Sequence, residues 1–350
     1  MFKIGLLGCG TVASYGHLPA IRATRGLRLA AVCDPNPDRA AQAARQHGLP
    51  PQQTFDDLEA FFASGLDAVA ITSPAPAHMA NVLQAARHRL HVLCEKPLAM
   101  NDAQARRMIQ AMTQARRLLA VGFTYRFSPV ALKIRQLVQQ KVIGRVHSLR
   151  LIYTWDCHGQ CHRAGPNKGQ LNLRRRGRML EGGPMVDCGT HQIDLARWWL
   201  DSPVVRAHGE GAWLDRYEAP DHTWLHLDHA CGAHTVVEIS YSYAHTTRQP
   251  RSVFQYELIG TRGLIRYDRE AHLFEVLTPR GTRRLPPGHE KNFEGMYTAF
   301  ARALATGRLG LLASAQDGQI TTRLALTGTR QAIRQRAVNG AKGRQLDAEA

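Results

Sequence analysis

The first 122 residues alternate short β-rich runs with helical stretches, and this rhythm restricts the fold more than any other feature of the sequence. Strands that alternate with helices of roughly 10 to 16 residues indicate βαβ units, whose parallel strands form a sheet covered by helices on both faces. The pattern therefore predicts an α/β fold with a doubly wound parallel sheet over residues 1–122. The predicted strands and helices are Phe2–Leu7, Val12–Arg25, Leu27–Cys33, Asp38–His47, Ala68–Ile71, Ala77–Arg89, His91–Cys94, Asp102–Arg117 and Leu118–Val121.

A second domain with a different rhythm begins at Phe123. Its β-rich runs are separated by turn signals such as Gly232 and Gly260, which favours a large, mostly antiparallel sheet. We predict an α+β domain over residues 123–338, whose C-terminal helices could instead pack on the first domain, and a frayed polar tail over residues 339–350. The predicted elements are helices Pro129–Gln139, Met185–Leu200, Phe293–Ala305 and Ala315–Arg336, strands Val146–Thr154, Val204–Trp213, Thr223–His229, His234–Tyr243, Ser252–Ile259 and Gly263–Tyr267, and a loop over His158–Arg178.

The composition is typical of a folded protein in a reducing compartment. Of the 350 residues, 44% are hydrophobic and 21% charged, which suits a globular chain and excludes a disordered one. The apolar stretches fall short of the roughly 20 residues that a membrane-spanning helix needs, and the strand that starts at Phe2 leaves no room for a signal peptide. Seven cysteines without the spacing of a secreted scaffold predict mostly free, buried thiols and no structural disulfide. We therefore expect a cytoplasmic protein.

The formal net charge is +17, from 45 Lys and Arg against 28 Asp and Glu. The excess is spread along the chain, but between Lys141 and Arg178 there are nine basic residues and one acid, Asp156. A basic run of this kind is either a solvated face or a region that attracts an anionic small substrate. Nucleic-acid binding is the least favoured interpretation, because no helix-turn-helix or RNA-binding signature accompanies the charge.

The segment Gly8-Cys9-Gly10-Thr11-Val12-Ala13 follows the first strand and opens the first helix. Gly8 permits a tight turn, Gly10 lets the backbone approach a pyrophosphate, and the small Ala13, in place of a third glycine, allows close helix packing. The N-terminus of the helix, at Thr11 and Val12, attracts the anion. We interpret the segment as the dinucleotide-binding turn of a Rossmann fold, with a plain tight turn as the alternative.

Asp34 ends the second strand, 24 residues after Gly10. An acid at this place accepts hydrogen bonds from the adenosine ribose and repels a 2′-phosphate, which favours NAD over NADP. Asn36 and Arg39 keep NADP open, since an arginine there can accommodate the phosphate. The alternative role of Asp34 is to cap the helix that begins near Asp38.

A glutamate, a lysine and a proline, Glu95-Lys96-Pro97, directly follow the apolar strand His91–Cys94. Open α/β sheets bind their ligands beyond the carboxyl ends of the strands, so a lysine in this position is expected to face a cofactor or a substrate. Lys96 is therefore a candidate site residue.

Asp187, His191 and Asp194 follow the pair Gly182-Gly183 on a predicted helix. Spacings of four and seven residues place all three side chains on one helix face. Carboxylates beside an imidazole orient the ring and hold its pKa near the working pH, which suits proton transfer. A satisfied surface network is the alternative. Gly189, which is costly within a helix, indicates that something approaches closely there.

The segment Cys157-His158-Gly159-Gln160-Cys161-His162 contains metal-ligating residue types. Its cysteine spacing is not that of covalent haem attachment, and no second paired cluster supplies the four ligands that zinc needs. We predict no metal and a loop over the substrate site. Tyr153 and Trp155, on the strand before this segment, are candidates to stack on a substrate ring, although aromatic residues in a sheet more often pack in the core.

Four motifs make the chain similar to the glucose–fructose oxidoreductase, inositol dehydrogenase and rhizopine catabolism (Gfo/Idh/MocA) family. They are the glycine turn, Glu95-Lys96-Pro97, Val121-Gly122-Phe123 with Arg126, and the Gly-Gly…Asp187…His191…Asp194 helix that ends in Ala196-Arg197-Trp198. No single motif is specific to this family, but the four motifs in this order and at this spacing are. The resemblance runs from the first strand to residue 336.

The resemblance implies an NAD(P)-dependent oxidoreductase that acts on a hydroxyl-bearing carbon of a sugar, sugar derivative or cyclitol. It implies that Lys96 lies beside the nicotinamide and hydrogen-bonds the reacting oxygen, and that the Lys96–Pro97 peptide is cis. Glu95 would hydrogen-bond the cofactor or its loop, and Pro97 would stiffen the placement of the lysine along the cofactor. By family position, the residues expected along the cofactor are Thr72, Ser73, Pro74, His78 and Arg126. For His78 the alternative is a helix cap.

On this interpretation His191 takes the proton of a substrate hydroxyl while hydride leaves the same carbon, Lys96 steadies the alkoxide, and Asp187 tunes or merely orients both. Rival functions are a family glycosidase that oxidises transiently and retains NAD, and a non-catalytic dinucleotide-binding regulator. Retention of Lys96 and His191 argues against the regulator, because a pure binder needs no such pair. The family also implies a homodimer or homotetramer through the C-terminal sheet.

Overall fold

The computed structural model describes residues 1–155, 168, 170, 172–243, 247–249 and 251–349, and of residues 174 and 339–349 only the backbone. The chain divides into two compact units. The first unit comprises Met1–Ser128 and Glu290–Thr322, and the second comprises Pro129–His289 and Arg323–Ala350. The domain predicted over residues 1–122 lies within the first unit, which also takes up the helix predicted at Phe293–Ala305.

The secondary structure follows the predicted rhythm through most of the chain. The strands are β1 (Phe2–Leu7), β2 (Leu27–Cys33), β3 (Thr54–Phe55), β4 (Ala68–Ile71), β5 (His91–Cys94), β6 (Leu119–Val121), β7 (Val146–Thr154), β8 (Val204–Ala212), β9 (His222–His229), β10 (His234–Ser240), β11 (Val253–Gly260), β12 (Gly263–Asp268), β13 (Leu273–Thr278), β14 (Gly281–Arg284) and β15 (Ala313–Ser314). The helices are α1 (Leu18–Ala23), α2 (Pro37–His47), α3 (Leu58–Phe62), α4 (Ala75–Arg87), α5 (Asp102–Gln114), α6 (Pro129–Gln139), α7 (Leu173–Leu180), α8 (Thr190–Leu200), α9 (Phe293–Thr306) and α10 (Ala315–Glu349). Short 3-10 turns lie at Pro51–Gln53 and Thr124–Phe127, and π-helical turns precede α1 at Ala13–His17 and α8 at Met185–Gly189.

The first unit contains the predicted doubly wound parallel sheet. Its strand order is β15-β6-β5-β4-β1-β2-β3, and all pairings are parallel except that of β15 with β6. Both faces are buried, because Ile4 and Leu6 of β1 pack in one apolar cluster with Phe300 of α9, while Leu7 packs in the other with Met108 of α5. The carboxyl ends of β2, β1, β4 and β5 therefore follow one another along one edge of the sheet, where open α/β sheets bind ligands.

The second unit contains the predicted large, mostly antiparallel sheet. Its strand order is β14-β13-β12-β11-β7-β10-β9-β8, with β7 and β10 the parallel neighbours. Along β9 a fully buried residue alternates with a half-exposed one, which is the pattern of a sheet with one face in the core. Helix α8 packs on β7 and β10. This helix and the π turn before it carry the acid and histidine motif.

The loop predicted over His158–Arg178 is partly wrong. Leu173–Leu180 form helix α7, whose first turn is capped by Asn172: its side chain accepts a hydrogen bond from the backbone N–H of Arg175. Leucine and arginine are good helix formers, and an N-terminal asparagine cap completes the signal. The glycines and polar residues that precede this helix favour a loop, and they hide the helix signal at its end. At the other end of the chain, the backbone is helical to Glu349 through the predicted polar tail.

In the part of the chain that the structure describes, helix α10 is the longest, and neither it nor any other helix is apolar enough over a sufficient length to span a lipid bilayer.

Candidate active site

The glycine turn after β1 is tied to the turn after β4. Gly8 has φ +100°, and a Cβ atom added to it would lie 2.6 Å from the backbone nitrogen of Ser73. The Thr72 hydroxyl donates to the carbonyl oxygen of Gly8 over 2.6 Å, and the Gly8 N–H donates to the carbonyl oxygen of Cys33. A residue with a side chain would both strain the backbone and collide with the neighbouring turn, so glycine is required here.

The space beside Gly10 is open. A Cβ atom added there would meet no atom within 4 Å, in contrast to the crowding at Gly8. Thr11 is exposed and Val12 half-buried, and both belong to the first turn of the helical segment that continues into α1. Open space beside a glycine at the N-terminus of a helix fits a dinucleotide pyrophosphate, as the sequence motif predicts.

Asp34 is buried at the end of β2, and its carboxylate binds the glycine turn. One oxygen accepts a hydrogen bond from the Cys9 N–H over 2.8 Å, and the other accepts one from the Asn36 N–H over 2.9 Å. The cap of α2 is Asn36, whose side chain accepts from the N–H groups of Asp38 and Arg39. The capping role considered for Asp34 therefore belongs to Asn36.

Glu95 and Lys96 lie where β5 ends, one strand from β4. The Lys96–Pro97 peptide is cis, as the resemblance implied. The Glu95 N–H donates to the carbonyl oxygen of Ile71, and one Glu95 carboxylate oxygen accepts from the Lys96 N–H over 3.1 Å. A Cβ atom at Gly122 would lie 2.9 Å from the other Glu95 oxygen, which gives the Val121-Gly122-Phe123 motif a steric reason.

His17 is a site residue that the sequence analysis missed. Its Nε2 lies 3.0 Å from a carboxylate oxygen of Glu95, and its Nδ1 lies 2.7 Å from the hydroxyl of Tyr297 on α9. The imidazole is 1% exposed and packs edge-on against Phe293. The only sequence signal was a histidine seven residues after Gly10, since its partner Tyr297 lies 280 residues away.

The buried side chain of His78 contacts both the turn after β4 and the turn after β5. It lies within α4, is 1% exposed, and places its two ring nitrogens 2.9 Å from the carbonyl oxygens of Ser73 and Pro97. Burial lowers the pKa of His78, so the neutral ring donates to one of these carbonyls at a time. The cap of α4 is Pro74, which is exposed, so His78 is not the helix cap considered from the sequence.

Arg126 lies in the 3-10 turn that follows β6. It is 5% exposed, and its guanidinium is 3.3 Å from a carboxylate oxygen of Asp317 at the start of α10. The pair fixes the turn that ends the first stretch of the first unit. The sequence analysis singled out Arg126 by family position, but no sequence pattern predicts its pairing with Asp317, because 191 positions separate the two residues.

In the second unit, Asp187 lies at the centre of a polar cluster. The Tyr241 hydroxyl donates to one carboxylate oxygen over 2.5 Å, and Arg178 lies 3.6 Å from the other. Asp187, and then Glu181 at 3.0 Å, raise the pKa of Arg178 above its ordinary value. Burial, together with the charge of Asp187, raises the pKa of Tyr241 well above its ordinary value, so the phenol stays a neutral donor.

His191 and Asp194 lie on α8, and both are buried, at 6% and 0% exposure. The helix predicted over Met185–Leu200 begins as a π-helical turn, Met185–Gly189, so the α-helical spacing rule does not describe the step from Asp187 to His191. The close approach predicted at Gly189 is present: a Cβ atom there would collide with Met185 and press on Ile239. Protein side chains, rather than a ligand, therefore account for this glycine.

Tyr153 and Trp155 stand at the end of β7. Tyr153 is 8% exposed and packs against Phe254 at 5.1 Å between ring centroids, while the half-buried Trp155 lies 5.2 Å from Tyr153 and 6.1 Å from Tyr241. Trp155 is thus the member of the pair that borders the Asp187 cluster. The Cys157–His162 segment lies outside the described residues. Among the residues that are described, no group of three or more His, Cys, Asp or Glu has the arrangement of a metal site.

Two family models match the chain. Residues 2–123 match the oxidoreductase family with the NAD-binding Rossmann fold, and residues 131–266 match the GFO/IDH/MocA C-terminal domain. The inositol 2-dehydrogenase 2 of Saccharopolyspora erythraea is 30% identical over 339 residues, 92% of this chain and 91% of that protein. The D-apiose dehydrogenase of Rhizobium rhizogenes is 27% identical over 80% of this chain and 76% of its own length. The D-glucoside 3-dehydrogenase of Escherichia coli is 30% identical over 59% of this chain, which spans 56% of that protein.

Solved structures share the fold over nearly the whole chain. An inositol dehydrogenase homologue from Azotobacter vinelandii in complex with NAD+ superposes with a TM-score of 0.81 at 18% identity, covering 95% of both chains. The aldose-aldose oxidoreductase of Caulobacter crescentus superposes with a TM-score of 0.80 at 21% identity, covering 95% of this chain and 97% of that one. With the glycine turn, the lysine beyond β5 and the two family models in agreement, the chain belongs to the Gfo/Idh/MocA family of NAD-binding oxidoreductases.

Proposed function

We propose that the protein is an NAD-dependent dehydrogenase that transfers hydride between the nicotinamide and a hydroxyl-bearing carbon of a sugar, sugar derivative or cyclitol. The observation that carries the proposal is the row of turns at the carboxyl edge of the first sheet. The open Gly10, the buried Asp34 and the Glu95-Lys96-Pro97 turn follow β1, β2 and β5, which lie within the run of neighbouring strands β5-β4-β1-β2. Relatives named as inositol, apiose and glucoside dehydrogenases support the substrate class.

The cofactor site comprises the turns after β1, β2, β4, β5 and β6. When bound there, NAD supplies the acceptor for the hydride. Asp34 favours NAD over NADP, because a carboxylate at the end of β2 accepts hydrogen bonds from the adenosine ribose and repels a 2′-phosphate. The proposed cofactor-binding residues are Gly8, Gly10, Thr11, Val12, Asp34, Thr72, Ser73, Pro74, His78, Glu95, Lys96, Pro97 and Arg126.

The catalytic residues we propose are Lys96, His191 and Asp187. His191 accepts the proton of the substrate hydroxyl, and the Lys96 ammonium stabilises the negative charge that develops on that oxygen, by about 3 to 4 kcal/mol for a placed donor. The Tyr241 and Arg178 contacts hold the Asp187 carboxylate in one orientation, which suits a group that tunes the histidine. Tyr153 and Trp155 complete the proposed substrate contacts.

Lys96→Met and His191→Asn test this assignment. We expect wild-type protein to bind NAD in calorimetry and to reduce it with at least one member of a panel of cyclitols, aldoses and sugar acids. In both variants kcat should fall by about 10²- to 10⁴-fold. His191→Asn should keep NAD affinity, while Lys96→Met, which removes one proposed cofactor contact but leaves the glycine turn intact, should lose much less NAD affinity than kcat. Undiminished turnover by both variants, or no affinity of the wild type for NAD, would refute the proposal.

The rival functions predict other outcomes. A glycosidase that regenerates its cofactor would release sugar from a glycoside with no net change in nicotinamide absorbance. A regulator would bind NAD and turn over nothing. The relatives reported above are named as dehydrogenases, which favours net oxidation.

We also propose an anionic substrate, a cytoplasmic location and assembly as a homodimer or homotetramer. The basic run between Lys141 and Arg178 supports the anion. Buried free thiols at Cys9, Cys33 and Cys94 suit a reducing compartment. The half-exposed face of the second sheet supports an interface between copies.

A further inference from the structure

We infer that Arg175 binds a carboxylate group of the substrate, so that the substrate is a sugar acid rather than a neutral sugar. The inference rests on the proposed function and narrows its substrate class. Arg175 lies in the first turn of α7 and is 9% exposed, yet its terminal nitrogen Nη1 is buried with no hydrogen-bond partner among the described residues. A buried guanidinium nitrogen without an acceptor is unfavourable, so an acceptor from a ligand is expected.

The neighbouring cation is already neutralised. Arg178, one turn along α7, lies 3.0 Å from Glu181 and 3.6 Å from Asp187. Arg175 instead lies with its guanidinium carbon 4.6 Å from the ring centroid of Tyr241. A cation–π contact orients a guanidinium but leaves its N–H groups available to donate hydrogen bonds in the plane of the guanidinium itself.

The positive charge of Arg175 lies beside Asp187, one of the proposed catalytic residues. The phenol under the Arg175 guanidinium is the one that donates to Asp187. A ligand group held by Arg175 would therefore lie next to the Asp187 cluster, within the second unit. Arg176, the following residue, is exposed and lacks this setting.

A second buried donor borders the same phenol. The Nε1 of Trp155 is buried with no hydrogen-bond partner in the described part of the chain, and the Trp155 and Tyr241 ring centroids lie 6.1 Å apart. The indole nitrogen and the guanidinium only donate, so both require an acceptor. A carboxylate offers two acceptor oxygens and one negative charge, which matches one uncommitted cation. A phosphate monoester carries a charge of about −1.5 to −2 and would call for a further cation.

The test compares matched acidic and neutral ligands on the full-length protein in the presence of NAD. Calorimetry with D-glucuronate, D-gluconate and L-tartrate, against D-glucose, myo-inositol and D-glucose 6-phosphate, measures the ligand preference directly. We expect at least one carboxylate to bind and Arg175→Met to weaken it by about 10- to 100-fold, the range for a hydrogen bond to a charged group. Arg176→Met, an identical charge change at an exposed position, should weaken carboxylate binding by less than about twofold, because it removes only a solvent-screened surface charge.

Arg175→Lys keeps the charge but loses the planar fork, and it provides a milder variant if Arg175→Met does not fold. It should weaken carboxylate binding less than the methionine variant. Failure of every carboxylate to bind, an equal loss in the Arg176→Met control, or binding of carboxylates undiminished in both Arg175 variants overturns the inference. Arg175-dependent binding of glucose 6-phosphate alone overturns the carboxylate in favour of phosphate. Each of these outcomes leaves NAD binding and the Lys96 test intact, so the two proposals fail separately.

Discussion

At the scale of single residues, Gly8 and Gly10 are two positions apart and meet different constraints. At Gly8 the protein itself excludes a side chain, because φ is +100° and a Cβ atom would collide with the backbone of Ser73. Gly10 has open space where a Cβ would be. We therefore attribute the glycine at this position to the proposed pyrophosphate site rather than to the fold.

Substituting each glycine by alanine separates these roles. Gly10→Ala should fold with a free energy of unfolding within about 1 kcal/mol of wild type and lose NAD affinity at least tenfold, because the methyl group occupies pyrophosphate space. Gly8→Ala should lose more than about 2 kcal/mol of stability, because strain and a backbone collision add. Urea unfolding and NAD calorimetry measure the two effects. Normal NAD affinity in Gly10→Ala would contradict the assignment.

Residues with a local signature were predictable, and residues with only a distant partner were not. Gly8, Asp34 and Lys96 are marked by their places at the ends of strands. His17 and Arg178 are defined by contacts, the first with Tyr297 and Glu95 and the second with Asp187. Apart from the acid three residues from Arg178, no spacing rule links these partners, because their proximity is a product of packing.

At the scale of elements, two helices predicted as continuous begin with a π-helical turn. Ala13–His17 precedes α1 and Met185–Gly189 precedes α8. A π turn contains more residues than an α-helical turn, so it rotates every side chain that follows relative to those before it. Sequence periodicity assumes the α period, and it therefore cannot state which face His17 or Asp187 occupies. Such turns recur at functional sites.

The first of these turns contains His17, whose ring nitrogens make hydrogen bonds with Glu95 and with Tyr297 of α9. Tyr297→Phe removes one buried hydrogen bond and should cost about 0.5 to 1.5 kcal/mol in urea unfolding, while His17→Ala removes two and leaves a cavity beside Phe293, for about 2 to 4 kcal/mol. Since Glu95 also accepts from the Lys96 N–H, kcat should fall more in His17→Ala than in Tyr297→Phe, with a smaller change in NAD affinity. Equal kcat in the two variants and wild type would exclude a positioning role for His17.

Some of the elements that the sequence analysis missed are short or depend on remote partners, whereas β13 and α7, also missed, have six and eight residues. β3 and β15 have two residues each, and α3 has five. β15 exists because Ala313 and Ser314 pair with Val121 and Ala120 at the edge of the first sheet. A two-residue strand has no periodicity of its own, so only its pairing defines it.

At the scale of the whole molecule, the second sheet has one buried face, and along β9 and β10 the residues of its other face are half-exposed in the described part of the chain. On β9, Leu225 and Leu227 are fully buried. Trp224, which precedes Leu225, and His226, which lies between the two leucines, are half-exposed. Ile259 of β11 is 52% exposed. A broad face that contains a tryptophan and aliphatic residues is typical of a surface that associates.

We expect the wild type to be a dimer or tetramer in light scattering coupled to size exclusion, and Trp224→Glu to shift it towards monomer, because a carboxylate would be desolvated in the interface. Leu311→Glu introduces the same charge at an exposed apolar residue of the first unit and should not change the mass. NAD affinity should persist in both. A monomeric wild type, or an unchanged oligomer in Trp224→Glu, would refute the proposed interface.

By itself, the sequence determined the fold class, the order of most strands and helices, and the family, because these depend on periodicity, turn residues and short motifs that act over a few neighbouring positions. Tertiary structure decided which side chains meet. It pairs β15 with β6 and brings His17 into contact with Glu95 and Tyr297. It also stacks Arg175 on Tyr241, while Arg178 pairs with the carboxylate of Asp187. These contacts join residues far apart in the chain, or choose between two arginines that are alike in sequence. Only packing and the cost of burying charge distinguish among such alternatives.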